Sequence, residues 1–242
     1  MKISARSDVG MARSSNQDFC LAGEFADGLT WAVVCDGMGG ATGGNIASET
    51  AAKTISEKLT FGYHEGMNDN SLKNLMVSAV DAANAKINSR AKNDEVLRGM
   101  GTTVVLTLIR NDALYLAHVG DSRIYVVTRD SINQLTTDHS VVQMMIDNGE
   151  ITAEEAKDHP QKNVITRALG VEETVRIDYS QEVYNDGDII LLCTDGLTNY
   201  VDDEKILKIC NENDSYTLAD VLVDAANSKG GGDNVTVVTV TD

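Results

Sequence analysis

Five aspartates stand where an apolar run meets a turn: Asp18, Asp36, Asp121, Asp195 and Asp233. Asp36 follows Val33-Val34-Cys35 and leads into Gly37-Met38-Gly39-Gly40. Asp195 follows the apolar residues 189–193 and precedes Gly196. Asp121 follows Val119-Gly120, and Asp233 sits between Gly230-Gly231-Gly232 and Asn234. A carboxylate at a strand end, beside bare glycine carbonyls, offers hard oxygen ligands to a divalent cation. Taken singly, each is also what an ordinary turn aspartate looks like. Taken together they are costly if the strand ends converge. Two carboxylates about 4 Å apart repel by on the order of 4 kcal/mol at an effective dielectric near 20. A fold keeps such a cluster only where cations offset the repulsion. An all-oxygen set suits Mg²⁺ or Mn²⁺, whereas zinc usually recruits His or Cys as well. None of the four histidines has a partner at metal-ligand spacing in the sequence.

The elements that must carry these residues are legible from periodicity. Residues 2–7 read as a short edge strand. Residues 19–25 and 29–35 read as strands joined at Asp27-Gly28, and pairing them sets Asp18 beside Asp36. Ile46, Ala47, Ala51, Ile55 and Leu59 mark one helical stripe. Leu72, Leu75, Met76, Ala79, Ala83 and Ile87 mark a second, with Ser71 as its cap. From residue 102 the period shortens. Segments 102–109, 113–119, 124–128 and 132–135 read as an antiparallel meander. The stretch 140–171 then departs from the core's character. It holds a short helix at 141–146, a Thr152–Glu155 capping box and the single proline, Pro160, and reads as a surface flap near the active face. Strands follow at 175–183 and 189–193. Asp202 caps a helix with Ile206, Ile209 and Cys210 on its stripe, and Leu218, Val221, Leu222 and Ala225 mark another. Residues 235–240 close the chain as a strand. His64 falls in a loop. His118 reads as a strand residue supporting the turn at Asp121, with catalysis as the alternative.

Composition narrows the function classes. The chain has 242 residues, 42% hydrophobic, and no Pro-, Gly- or Ser-rich linker, so one domain spanning 1–242 is expected. A net charge of −17 argues against a nucleic-acid or anionic-membrane binder, which needs a basic face. The excess acid has two sources open to it: solvated helix faces, or a concentrated site that needs cations. Cys20, Cys35, Cys193 and Cys210 form no Cys-x-x-Cys pair and read as small buried hydrophobes, a disulfide or zinc site being the alternative. The first residues lack the apolar core of a signal peptide, and no apolar run reaches the length of a membrane span. A soluble cytoplasmic protein is expected.

The ordered motifs resemble the metal-dependent protein Ser/Thr phosphatases of type 2C in their compact bacterial form. They are Ser7-Asp8-Val9-Gly10 through Arg13, Asn16-Gln17-Asp18, Asp36-Gly37-Met38-Gly39-Gly40, Gly99-Met100-Gly101-Thr102-Thr103, Val119-Gly120-Asp121-Ser122-Arg123, Thr194-Asp195-Gly196 and Gly232-Asp233-Asn234. The resemblance runs nearly end to end. It implies an α+β fold, a four-layer α-β-β-α sandwich of two antiparallel sheets flanked by helix pairs. It implies two core Mn²⁺ or Mg²⁺ ions and a weaker third. Asp36 would bridge the two core ions, with the Gly37 carbonyl on the first and Asp195 and Asp233 on the second. Asp121 with Asp195 would hold the third. Asp18 would accept hydrogen bonds from waters on the metals, Asn234 would steady the site, and Arg13 would grip the substrate phosphate, a surface ion pair being its other reading. The implied reaction is attack on phosphorus by a water shared between the core metals, with no covalent intermediate. Some eukaryotic relatives place a His directly after the Asp-Gly pair; Met38 stands there and cannot donate a proton. The implied substrates are phosphoproteins made by a Ser/Thr kinase, the kinase itself among them, and nothing demands more than a monomer. The rival classes are a pseudophosphatase that only binds phosphoproteins, and a phosphatase for small esters. Every expected acidic position is filled, which favours the enzyme over the binding module.

Overall fold

The computed structural model describes residues 1–242, apart from the side chains at positions 41 and 42. The chain opens with β1 (Lys2–Asp8), β2 (Asp18–Glu24) and β3 (Thr30–Met38). Helices α1 (Gly40–Gly62) and α2 (Asp69–Asn93) follow. Next come β4 (Gly101–Thr102), β5 (Val104–Arg110), β6 (Ala113–Val119), β7 (Arg123–Val127) and β8 (Ile132–Gln134). The insert carries α3 (Val141–Asp147) and α4 (Ala153–Lys157). The chain then runs through β9 (Asp178–Val183), β10 (Ile189–Cys193), α5 (Asp195–Thr198), α6 (Asp203–Glu212), α7 (Leu218–Ser228) and β11 (Val235–Thr241).

Two antiparallel sheets result, one in the order β1-β11-β10-β7-β8 and the other β2-β3-β5-β6-β9, with β4 added beside β3. Three apolar cores separate four layers. Val33, Leu106 and Ala117 of the second sheet pack under the Ile55, Leu59 and Met76 stripes of α1 and α2. Leu191, Val235 and Val237 of the first sheet pack under Ile206, Ile209 and Leu222 of α6 and α7. Val34, Val105, Leu192 and Val238 meet between the sheets. Alternate residues of one strand therefore serve two different cores, as the period-2 pleat dictates. This is the four-layer α-β-β-α sandwich.

The β2–β3 hairpin pairs Asp18 directly opposite Asp36. The expected meander is corrected: β5 and β6 lie in one sheet, and β7 and β8 in the other. The switch falls at Gly120, whose φ of 111° turns the chain from one sheet to the other. The cap of α2 is also corrected. Its helix begins at Asp69, three residues earlier than a Ser71 cap would start it, because the Asn68 side chain accepts from the Ser71 amide at 2.9 Å. The strand expected from 175 begins only at Asp178, since residues 170–173 are tied to α2 instead. The Thr152–Glu155 capping box is formed, and Asp202 caps α6 through the Lys205 amide at 2.8 Å. All four cysteines are free and Cys35, Cys193 and Cys210 are buried. Among the described residues no helix is long and apolar enough to cross a membrane.

Candidate metal centre and active site

Both Asp-Gly pairs sit where backbones cross too closely for a side chain. A Cβ on Gly37 would lie 2.1 Å from the Gly44 carbonyl oxygen and 2.5 Å from that of Gln17. A Cβ on Gly196 would lie 1.8 Å from the Asn234 carbonyl oxygen. The glycines are thus required by packing, and the aspartate before each is carried to the same end of the sandwich. There a cleft of about 560 Å³ is lined by Arg13, Asp36, Gly37, Asp121, Asp195 and Asp233. Asn163 and Ile165, from the 140–171 insert, also line it.

Hydrogen bonds to the backbone aim Asp36. Its amide donates to Thr103 Oγ1 at 2.9 Å, and its carbonyl accepts from Thr102 Oγ1 and from the Thr103 amide, both at 2.8 Å. Thr103 Oγ1 also pairs with Ser122 Oγ at 2.7 Å, next to Asp121. The Gly101-Thr102-Thr103 and Asp121-Ser122-Arg123 motifs therefore fasten two acidic turns together. Arg123 makes a bidentate pair with Asp138, with contacts of 2.7 and 3.0 Å.

Asp18 lies beneath the cleft, 6% exposed. Its Oδ2 accepts from Thr194 Oγ1 at 2.9 Å, which ties β2 of one sheet to the β10–β11 pair of the other. Its Oδ1 is buried without a protein partner. Asn234 is the clamp of the site. Its Oδ1 accepts from the Gln17 amide at 2.8 Å, and its Nδ2 donates to the Val9 and Ser15 carbonyls, both at 2.9 Å. All of its capacity goes to the loop that carries Arg13. Arg13 donates to Asp233 Oδ2 at 2.8 Å from the rim of the cleft. The surface ion pair weighed for Arg13 is thus formed, and its partner is one of the site aspartates.

The electrostatics follow from the crowding. Burial first, then Asp18, Asp195, Asp121 and Asp233, push the Asp36 carboxyl well above the usual range. Asp36 keeps partial exposure because it faces the cleft, yet protein surrounds it closely enough for desolvation to dominate. Burial and then Asp195 push Asp121 to about 7. Asp18 is likewise pushed to about 7 by burial, with hydrogen bonds from Thr236 and Thr194 opposing. Asp195 is raised by burial and then Asp233. Carboxyls raised by one another, an orphaned carboxylate oxygen and an all-oxygen donor set fit hard divalent cations.

One organising residue is not singled out by the sequence. His139 Nδ1 accepts from the Gly120 amide at 3.0 Å, and its own amide donates to the Gly120 carbonyl at 2.8 Å. Its Nε2 faces Asp178 Oδ2 at 3.1 Å, and its carbonyl accepts from the Thr166 amide at 2.8 Å. Burial and then His118 lower its pKa to about 4, so at neutral pH Nδ1 is free to accept. His118 stacks on it with ring centroids 4.4 Å apart and bonds the Thr137 carbonyl through Nε2 at 2.9 Å. The stacked rings aim their nitrogens at separate partners, not at one ion, although with Asp178 they lie within 4.8 Å of one another. His139 knots together the Asp121 turn, both ends of the insert and β9. Its only signal in the sequence was Asp138-His139 at the start of the insert. His139→Ala leaves the Gly120 amide unpaired and is expected to cost about 2–3 kcal/mol in urea unfolding. A His139→Gln variant that can still accept at Gly120 is expected to recover part of that loss.

A model of the protein phosphatase 2C family matches residues 11–224. The chain is 39% identical over 244 residues to protein phosphatase PhpP of Streptococcus pneumoniae, covering 99% of this chain and 97% of that one. The serine/threonine phosphatase of S. agalactiae superposes with a TM-score of 0.92 at 34% identity, covering 100% of this chain and 99% of that one. The catalytic domain of the serine/threonine protein phosphatase PstP, solved in complex with two manganese ions, superposes with a TM-score of 0.86 at 34% identity, covering 100% and 98%. The chain belongs to the protein phosphatase 2C family, a metal-dependent family of hydrolases. It is a protein serine/threonine phosphatase.

Proposed function

We propose that residues 1–242 act as one catalytic domain that hydrolyses phosphoserine and phosphothreonine in proteins, with 140–171 as a flap beside the cleft. The observation that carries this is the convergence of Asp36, Asp121, Asp195 and Asp233 on one cleft with Arg13 at its rim. Asp36, the Gly37 carbonyl, Asp195 and Asp233 would hold two core cations, and Asp121 with Asp195 a weaker third. Mn²⁺ and Mg²⁺ both suit these ligands. When bound, the cations supply Lewis acidity at the phosphoryl oxygens and lower the pKa of water.

The remaining roles belong to the chain. Arg13 offers a guanidinium to two phosphoryl oxygens and orients the phosphorus in the cleft. Asn234 fixes the loop that carries Arg13, and Asp18 accepts hydrogen bonds from water at the floor. Water adds to phosphorus as the bond to the serine or threonine oxygen breaks. The products are phosphate and the free hydroxyl. Met38 has no proton to give, so the leaving oxygen takes one from water in the cleft. The protein acts as a cytoplasmic monomer and counters a Ser/Thr kinase of the same cell, whose phosphoproteins are its substrates. No observation favours a binding-only role, since every acidic position is filled.

Phosphate release from a phosphothreonine peptide is the direct test. Turnover is expected with Mn²⁺, none with EDTA, and recovery when Mn²⁺ is restored in excess. Turnover that persists in EDTA would overturn the reading.

A further inference from the structure

A second cavity, of about 320 Å³, opens beside the cleft. Met38 and Ile165 line both, so the two are separated by little more than these side chains. Ala168, Val171 and Val175 complete an apolar wall. Arg167 and Arg176 are its cationic lining residues, and Glu172 its anionic one.

This cavity is built, not incidental. Asn84 and Asn88 of α2 are 2% and 7% exposed, yet neither serves the helix. Asn84 Oδ1 accepts from the Gly170 amide at 2.7 Å, and its Nδ2 donates to the Glu172 and Glu173 carbonyls at 3.2 and 3.1 Å. Asn88 Nδ2 donates to the Gly170 carbonyl at 3.1 Å. Two buried amides therefore hold the 170–173 wall in place, which is the cost-saving condition for a preformed pocket. Arg167 is already paired, and Arg176 and Glu172 are exposed to solvent. Arg167 donates to Asp178 Oδ1 at 2.9 Å and to the Arg176 carbonyl at 3.2 Å, and Arg176 Nε lies 3.4 Å from the same Asp178 oxygen. By count Arg167 and Arg176 balance Asp178 and Glu172. In a chain of net charge −17, with an acidic cleft next door, this is a recess with an apolar wall and, once the pairing with Asp178 is counted, no net charge.

We propose that this cavity is a specificity subsite for an aliphatic or aromatic side chain of the phosphoprotein substrate, two residues from the phosphorylated one. The proposal rests on the phosphatase reading of the cleft. A charged side chain entering here would lose hydration beside the apolar wall, since Arg167 is already paired with Asp178 and the exposed Arg176 and Glu172 keep their charges in solvent. An apolar one displaces water from Met38, Ile165, Val171 and Val175. The position follows from extended-chain geometry. Side chains two residues apart face the same way, about 6–7 Å from one another, and so can enter two adjoining recesses.

The test uses the full chain with Mn²⁺ and phosphothreonine peptides bearing Leu, Phe, Ala, Asp or Lys two residues before or after the phosphothreonine. p-Nitrophenyl phosphate, which has no flanking residue, is the control substrate. At one of the two positions Leu or Phe is expected to raise kcat/KM about tenfold over Ala, with Asp and Lys below Ala. Thr174→Trp fills the recess from its exposed edge and Val171→Asp charges its wall. Each is expected to abolish the preference while p-nitrophenyl phosphate turnover stays unchanged, which also reports that the variants are folded. A flat peptide series, a preference for charge, or a preference that survives both variants would overturn the subsite while leaving the phosphatase reading intact. Absence of p-nitrophenyl phosphate turnover in the unmodified protein would overturn that reading and the subsite with it.

Discussion

Asp36→Asn is expected to lower turnover of a phosphothreonine peptide by on the order of a thousandfold or more, with the fold retained. Asparagine has the shape of aspartate, and the contacts that aim residue 36 are made by its backbone, to Thr102 and Thr103. What is lost is one negative charge at the centre of the acidic cluster. That loss weakens cation binding and so removes the charge that stabilises the transition state. The same change has an opposite effect on the metal-free fold. Asp36 is held well above the usual carboxylate range by burial and by Asp18, Asp195, Asp121 and Asp233. As pH rises above the unfolded carboxyl's value of about 4, this raised pKa costs stability, and asparagine does not ionise. In EDTA the variant is therefore expected to melt higher than the unmodified protein near pH 8, and the gap is expected to close below about pH 4. Measured melting curves at the two pH values, with kcat/KM on the same preparation, check both halves. An active variant would remove Asp36 from the cation site.

The second large effect is the coupling of metal, pH and stability. Burial, and then neighbouring carboxylates, push Asp18 and Asp121 up to about 7 in the folded state, against about 3.8 for a free aspartate. Between those values the folded state binds more protons than the unfolded one. Metal-free stability is thus fully present below about pH 4 and is lost as pH rises through about 7. The two groups share one field, so the combined loss is on the order of a few kcal/mol rather than the sum of separate shifts. Cations bind the deprotonated carboxylates, so their stabilisation grows over the same interval. At about a hundred times the dissociation constant it reaches roughly 2.7 kcal/mol per site. The expected result is a melting temperature that falls with pH in EDTA and is flat or rising in Mn²⁺. Parallel curves in the two conditions would show that the carboxyl cluster is not where the cations bind.

The fold was legible where burial is periodic. The stripes on α1 and α2, the β2–β3 hairpin and the caps of α4 and α6 all rest on residues within a few positions of one another. So did the candidate aspartates, because an apolar run that stops at Asp-Gly is a local pattern. The resemblance to type 2C phosphatases drew on the same short motifs, and their order along the chain set the family. The misplaced cap of α2 has a local cause as well: Asn68 outcompetes Ser71 by reaching the Ser71 amide itself.

Tertiary structure decided what period and motif do not encode. Alternation along 104–127 is the same whether the strands form one sheet or two, so the switch at Gly120 was invisible until the sheets packed. Asn84 and Asn88 read as polar positions on a helix, yet they hold the chain 82–89 residues away. His139 joins the Asp121 turn to the insert because two separately encoded surfaces meet there. Arg13 and Asp233 lie 220 positions apart and meet because β1 and β11 pair along their whole length. The sequence by itself determined which aspartates the cleft gathers and which family the chain belongs to, since both reside in short, ordered, glycine-flanked patterns. Only the tertiary structure decided how those aspartates are held, which loop Arg13 rides on, and that a recess with an apolar wall adjoins the acidic cleft. The reason is that these features depend on long-range packing, and the free energy of packing depends on area buried and partners met, not on spacing along the chain.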